Sequence, residues 1–357
     1  MRDLDPKSVK SLDKSEMLKL LSEFPKQLKE ASDIGKNITF DKDVKRDFDK
    51  VVFCGLGGSA IGADLIKSYV VKECKVPIIV NRDYTLPEFV NEKTLLVVSS
   101  YSGNTEETLS AYKEGRKRNA NIIVITTNGK LKENAEKDKV PYVVIPKGLP
   151  PRCALGYSSI PIMALFSKLG IISDKYKEID EASAFLDKLF KAELSPDVNE
   201  DKNISKRVAK DLFGKYAIIY GANQYTDCVV TRWRGQLAEN SKAISSTHLF
   251  PEMNHNEIVG WANPKNLMKD LVVIVLRDKE DHPRVAKRMD ITGSIIKKEG
   301  VKIIEISSRG ESLLSRIFSL IYIGDFVSLY LAILNDVDPT PVDSIMYLKN
   351  ELAKIKE

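Results

Sequence analysis

Short apolar runs recur along the first half of this chain, and each is unbroken by a polar residue. "VVFC", "PIIV", "LLVV", "IIVI" and "YVVI" fall between residues 51 and 145. A strand covered on one face alternates apolar and polar residues, whereas one covered on both faces is apolar throughout. Amphipathic stretches with helical spacing separate these runs, as in "GADLIKSYV" and "ETLSAYKEGRKRN". Strands alternating with helices in this way predict βαβ units and a parallel sheet. We place this first domain at 48–170.

A second succession of the same kind starts at "YAIIYGANQY". "VVTRWRGQLAEN" reads as a helix, and "DLVVIVLRD" and "VKIIEIS" read as strands, giving a second domain at 215–335. Residues 171–214, rich in Lys, Glu and Asp, read as a helical connector. Residues 1–47 form a charged helical segment in which Ser15 is the expected N-cap of "EMLKLLSEFPKQLKEAS" and the expected role is packing. "LLSRIFSLIYIGDFVSLYLAILN" predicts a long apolar helix, ended by "DVDPTP", and a last helix occupies 336–357. The expected class is α/β, with two doubly wound, flavodoxin-like parallel-sheet subdomains and helical N- and C-terminal segments.

The 55 basic and 50 acidic residues leave a net charge of +5, a mixed surface without a basic stripe, so no nucleic-acid partner is expected. No apolar run reaches the roughly 18 residues of a membrane span, and the opening "MRDLDPKSVKSLDK" lacks an apolar signal core. Four cysteines without a CxxC pair fit a reducing cytoplasm. With only three histidines besides, a metal site has little material, and no metal or cofactor is expected.

Two turns carry the candidate chemistry. "GLGGSAIG", Gly55 to Gly62, joins a strand to a helix. Glycine allows close approach of a ligand, and the unpaired N–H groups of a helix start attract an anion. Alone, the turn also passes for a loose dinucleotide loop with Asp83 near the ribose position, or for a plain tight turn. "SSYSGNTEET", residues 99–108, is a second strand-to-helix turn rich in hydroxyls. In a parallel sheet two such turns converge at a switch point. Gly58, Ser59, Ser100, Ser102 and Thr105 then surround one phosphate with hydroxyls and backbone N–H groups.

"GGS" followed about forty residues later by "SxSGxTxET" resembles the sugar isomerase (SIS) domain family, which binds phosphosugars. "PPRCALGYSSIP", "RWRGQLAENSKA", "FPEMNHNEIVGW" and "YLKNEL" are similar to the archaeal and bacterial bifunctional phosphoglucose/phosphomannose isomerases. The resemblance runs from about residue 50 to the end. It implies aldose–ketose isomerisation of sugar 6-phosphates through an enediol, without a cofactor. It implies Glu239 as the base at C2, Arg152 as the cation beside the enediolate oxygen, and His255 as the ring-opening group. Asn254 and Asn256 would shape the loop of His255. It also implies a homodimer in which His255 enters the partner's active site. Lys349 would assist at the ring oxygen and O1, and Thr340 would leave room for the mannose epimer. The second α/β unit carries "RDKEDH" where a hydroxyl loop would stand, so one phosphate cradle per chain is expected.

Three other readings compete. A non-catalytic sugar-phosphate sensor needs only the cradle, so the joint presence of Arg152, Glu239 and His255 argues against it. The isomerase half of an amidotransferase needs a glutaminase domain led by a cysteine, and this chain opens with Met1 and Arg2. A nicotinamide dehydrogenase rests on "GLGGSAIG" alone.

Overall fold

The computed structural model describes residues 2–39 and 47–355. Residues 40–46 of the expected N-terminal segment and 356–357 of the last helix lie outside the described residues. Three helices come first, α1 (Pro6–Leu12), α2 (Met17–Ser22) and α3 (Phe24–Lys36). The first sheet is then built from β1 (Lys50–Cys54), α4 (Gly57–Tyr69), β2 (Ile78–Asn81), β3 (Thr94–Ser100), α5 (Glu106–Lys117), β4 (Asn121–Thr126), α6 (Lys130–Lys137) and β5 (Tyr142–Val144). Helices α7 (Leu155–Lys168), α8 (Tyr176–Leu189) and α9 (Ile204–Leu212) lead to the second sheet. That sheet comprises β6 (Tyr216–Ala222), α10 (Asp227–Ser241), β7 (Ser245–Phe250), β8 (Leu271–Arg277), α11 (Pro283–Lys298) and β9 (Lys302–Ser307). Helices α12 (Leu313–Leu334) and α13 (Asp343–Leu352) close the described chain.

Both sheets are parallel throughout, with strand orders β2-β1-β3-β4-β5 and β7-β6-β8-β9. The first is the flavodoxin-like order, whose switch point lies between β1 and β3. Every residue of β3 is buried, as its unbroken apolar run requires. The sequence reading missed β7, because "SSTHLF" carries no apolar run. It is an edge strand, held by pairing with β6 rather than by burial of its side chains.

Two further expectations change. The predicted N-terminal helix is two helices, because Pro25 starts a new one in its first turn, where its missing N–H costs nothing. The N-cap position of the first is Glu16, not Ser15, and the capping carboxylate comes from Asp13 instead. Its carboxylate accepts the N–H groups of Met17 and Leu18 at 2.7 and 2.8 Å. The second change concerns α12. Its 22 residues are long and apolar enough to cross a membrane, a length the interruptions at Arg316 and Asp325 hide from a count of unbroken apolar residues. All of them except Leu313 are buried inside the protein. One buried apolar cluster runs from Leu4 through Phe53, Ile160, Trp233 and Phe326 to Leu334, so the two sheets share a core.

Candidate active site

At the first switch point the loops after β1 and β3 lie side by side. Leu56 precedes α4 in an extended conformation and caps it with no side chain, so first-turn N–H groups stay open to a ligand. Helix α5 differs, since Glu106 and Glu107 in its first turn already answer its dipole. An anion is therefore better placed against α4. The two loops are tied together, because Tyr101 donates its N–H to Ser59 Oγ at 3.2 Å. Ser100 Oγ lies 3.0 Å from Thr105 Oγ1 and accepts the Gly103 N–H at 3.1 Å. Ser102 Oγ accepts the Asn104 N–H at 3.3 Å and stays exposed. Gly103 has φ +69°, and a Cβ there would lie 1.7 Å from the Asn128 carbonyl oxygen. The turn thus closes against the loop after β4 only with glycine.

Gly58 joins this cradle to Arg152. A Cβ on Gly58 would stand 2.5 Å from the carbonyl oxygen of Pro151, so α4 packs directly against the short 3-10 turn Pro151–Cys153. The N-terminal segment braces the same turn. Gln27 donates to the Cys153 carbonyl at 2.9 Å and accepts the Gly156 N–H at 2.7 Å.

Arg152 is 5% exposed and reaches across to the second half of the chain. Its Nε donates to Asn240 Oδ1 at 2.6 Å. Its Nη2 donates to the carbonyls of Pro339 and Thr340 at 3.0 and 2.8 Å. Its Nη1 lies 3.4 Å from Glu239 Oε2. Glu239 sits in the last turn of α10 with its side chain 34% exposed, open to a small ligand. The site therefore places a fixed cation beside a reachable carboxylate and next to an open helix start. Lys242, just past α10, donates to the carbonyls of Glu239 and Asp338 at 2.7 and 3.1 Å, which fastens the end of α10 to the 338–340 bend. Burial, and then the nearby Arg152 charge, lower its pKa.

Below this pair lies a buried ion pair. Arg232 donates to Asp325 through Nε at 3.1 Å and Nη2 at 2.7 Å, and Gln236 Nε2 adds a third bond at 2.9 Å. Arg232 Nη2 also donates to the Arg152 carbonyl at 3.0 Å. The thiols beside the site are not nucleophiles, because burial pushes Cys54 and Cys153 up to about 12. Among the described residues no group of three or more His, Cys, Asp or Glu side chains gathers as a metal site.

Of the sequence-predicted residues, the structure brings Gly58, Ser59, Ser100, Ser102 and Thr105 together, and brings Arg152 to Glu239. It does not bring His255 or Lys349 to that pair within one chain. His255 is exposed at the end of a 3-10 turn beyond the carboxyl end of β7. Glu239 lies before the amino end of β7, a strand of six residues spanning roughly 20 Å. Lys349 lies on α13, which has no buried residue and exposes Ile345, Met346, Tyr347 and Leu348. The backbone of Thr340 holds Arg152, while its buried Oγ1 has no hydrogen-bond partner among the described residues. Where β8 ends, Asp278 accepts from Arg316 Nε at 2.9 Å and from Ser308 Oγ at 2.6 Å, so an ion pair fills the position of a second cradle.

The sequence reading missed Asn240, Ser328, Arg232, Gln236 and Asp325. Asp325 carried a signal, since a lone acid inside a long apolar helix must have a buried partner.

Residues 201–352 match the family described as the bacterial phospho-glucose isomerase C-terminal SIS domain. The chain is 50% identical over 341 residues to the bifunctional phosphoglucose/phosphomannose isomerase of Caldicellulosiruptor bescii, covering 96% of this chain and 100% of that protein. It is 36% identical to the protein of the same name from Aquifex aeolicus, covering 95% and 99%. Among solved structures, the C-terminal domain of glucosamine-fructose-6-phosphate aminotransferase from Francisella tularensis superposes with a TM-score of 0.71 at 15% identity, covering 92% of this chain and 98% of that one.

Proposed function

Because the chain belongs to the bifunctional phosphoglucose/phosphomannose isomerase family, we propose that it interconverts glucose 6-phosphate and mannose 6-phosphate with fructose 6-phosphate. The two aldoses differ only at C2 and pass through the same cis-enediol. The 6-phosphate rests on the open N–H groups of α4 and the hydroxyls of Ser59, Ser100, Ser102 and Thr105. With the sugar open, the Glu239 carboxylate removes the proton from C2. The C1–O1 π electrons move onto O1, a C1=C2 double bond forms, and Arg152 Nη1 stabilises the oxyanion. The Glu239 carboxyl returns its proton to C1, and the O2 hydroxyl proton passes to the O1 oxyanion. The C2–O2 bond becomes the ketose carbonyl as the C1=C2 double bond is consumed. The observation that carries this reading is the 3.4 Å approach of Arg152 Nη1 to Glu239 Oε2 beside the hydroxyl loops.

Ring opening falls to His255 of a second copy, whose imidazole both gives and takes a proton near neutral pH. The separation of His255 from Glu239 across the length of β7 favours donation between subunits in a homodimer. Lys349 assists at O1 and the ring oxygen, and the small Thr340 side chain leaves room for the mannose epimer. The setting is sugar-phosphate metabolism of the cytoplasm, in glycolysis and gluconeogenesis.

The test is a coupled assay for fructose 6-phosphate, run from each aldose with EDTA present. Turnover of both is expected, since Arg152 supplies the cation the chemistry needs. Silence with both would reject the reading. Replacing both Ser102 and Thr105 by Ala is expected to raise KM about tenfold with kcat little changed, because phosphate contacts serve ground and transition states alike. An unchanged KM would move the phosphate elsewhere.

A further inference from the structure

The guanidinium of Arg152 has five N–H groups. Asn240 takes the one on Nε, the Pro339 and Thr340 carbonyls take both on Nη2, and Glu239 takes one on Nη1. A single N–H on Nη1 remains without a partner among the described residues, and it leaves from the atom that faces Glu239. The plane of the guanidinium therefore decides whether that last donor points at the substrate oxygen.

Asn240 holds the Nε edge of that plane, as the Pro339 and Thr340 carbonyls hold its Nη2 edge, and of these three holds it is the one made by a side chain. It follows Glu239 directly on α10 and is fully buried, so the same helix end carries the carboxylate and the grip on the cation. Its amide cannot turn over. Nδ2 donates to Ser328 Oγ at 2.9 Å, and Ser328 spends its own hydroxyl hydrogen on the Asp325 carbonyl at 2.7 Å. Ser328 Oγ can then only accept from Asn240. A flipped amide would set N–H against the Arg152 Nε–H and leave Ser328 facing an oxygen. Ser328 on α12 thus fixes the amide, and the amide fixes the arginine.

We propose that Asn240 and Ser328 are positioning residues of the isomerisation, aiming the one free N–H of Arg152 at the developing oxyanion. This rests on the function proposed above. A misplaced group of about 1 Å is able to cost on the order of 10²-fold, so Asn240→Ala is expected to lower kcat by roughly that factor. KM should change less than about twofold, because the phosphate cradle is untouched. Ser328→Ala, which frees the amide but keeps it, is expected to lower kcat roughly tenfold.

The deciding measurement is a double-mutant cycle. If Asn240 acts through Arg152, adding Asn240→Ala to Arg152→Lys costs less than about twofold. An equal factor in both backgrounds, an unchanged kcat, or a change confined to KM overturns the proposal. If Asn240→Ala does not fold, Ser328→Ala is carried through the same cycle. If the wild type turns over neither aldose, the function proposed above has failed by itself, and the positioning is read without turnover. The Arg152 Nε–H resonance, assigned by its loss in Arg152→Lys, should exchange with solvent at least about tenfold faster in Asn240→Ala. An unchanged exchange rate overturns the positioning.

Discussion

Glu239→Gln is expected to lower kcat by roughly 10³-fold in both aldose directions while the protein still binds sugar phosphates. General base catalysis contributes about 10² to 10⁴ in rate. The amide keeps the shape of the side chain and an oxygen for the Arg152 Nη1 contact at 3.4 Å, but it cannot take the C2 proton. On the proposed function, binding depends mainly on the cradle after β1 and β3, which this substitution does not touch. Calorimetric titration with fructose 6-phosphate should therefore show affinity within a few-fold of wild type. Exchange of the C2 hydrogen with solvent deuterium should fall in step with kcat. A variant that kept kcat within a factor of about three would remove Glu239 as the base.

The second large effect concerns stability. Asp325 is 3% exposed and accepts three bonds, two from Arg232 and one from Gln236. Burial raises its pKa, and Arg232 and Gln236 act against that rise. Asp325→Ala would leave Arg232, 6% exposed, as an uncompensated buried charge. Breaking one side of a buried pair costs about 3–5 kcal/mol. We expect a loss of that size in urea unfolding. Replacing both members, as Arg232→Met with Asp325→Leu, should cost less than the single change because no charge is stranded. A single-variant loss under about 1 kcal/mol would mean the pair does not hold α10 to α12.

Much of this molecule was legible in its residues. The unbroken apolar strands gave the first sheet, since burial on both faces leaves little choice of side chain. The hydroxyl turn at 99–108 stood out because few structural demands call for so many hydroxyls at a strand end, and the structure sets it against the α4 turn at the first switch point. Other parts were hidden for definite reasons. Strand β7 is polar and lies at an edge, where pairing rather than side-chain burial maintains it. Asp13 caps α2 from outside the stretch that reads as helical. Asn240 and Ser328 are ordinary polar residues in sequence, and they gain meaning only when α10 and α12 lie together. That contact joins residues 88 positions apart, beyond any local pattern. His255 and Lys349 were singled out by motif, and neither the separation of His255 from Glu239 across β7 nor the exposure of α13 has a counterpart in spacing.

Arg152 belongs to the first half of the chain and Glu239 to the second, while one continuous core joins the halves. For protein engineering this makes the internal seam between α4 and α10 a tuning surface. Substitutions there would slide one half against the other and alter the turnover number without any change in the groups that meet the sugar. Libraries aimed at epimer preference should sample that seam as well as the pocket wall, and should expect gains from positions that no ligand touches.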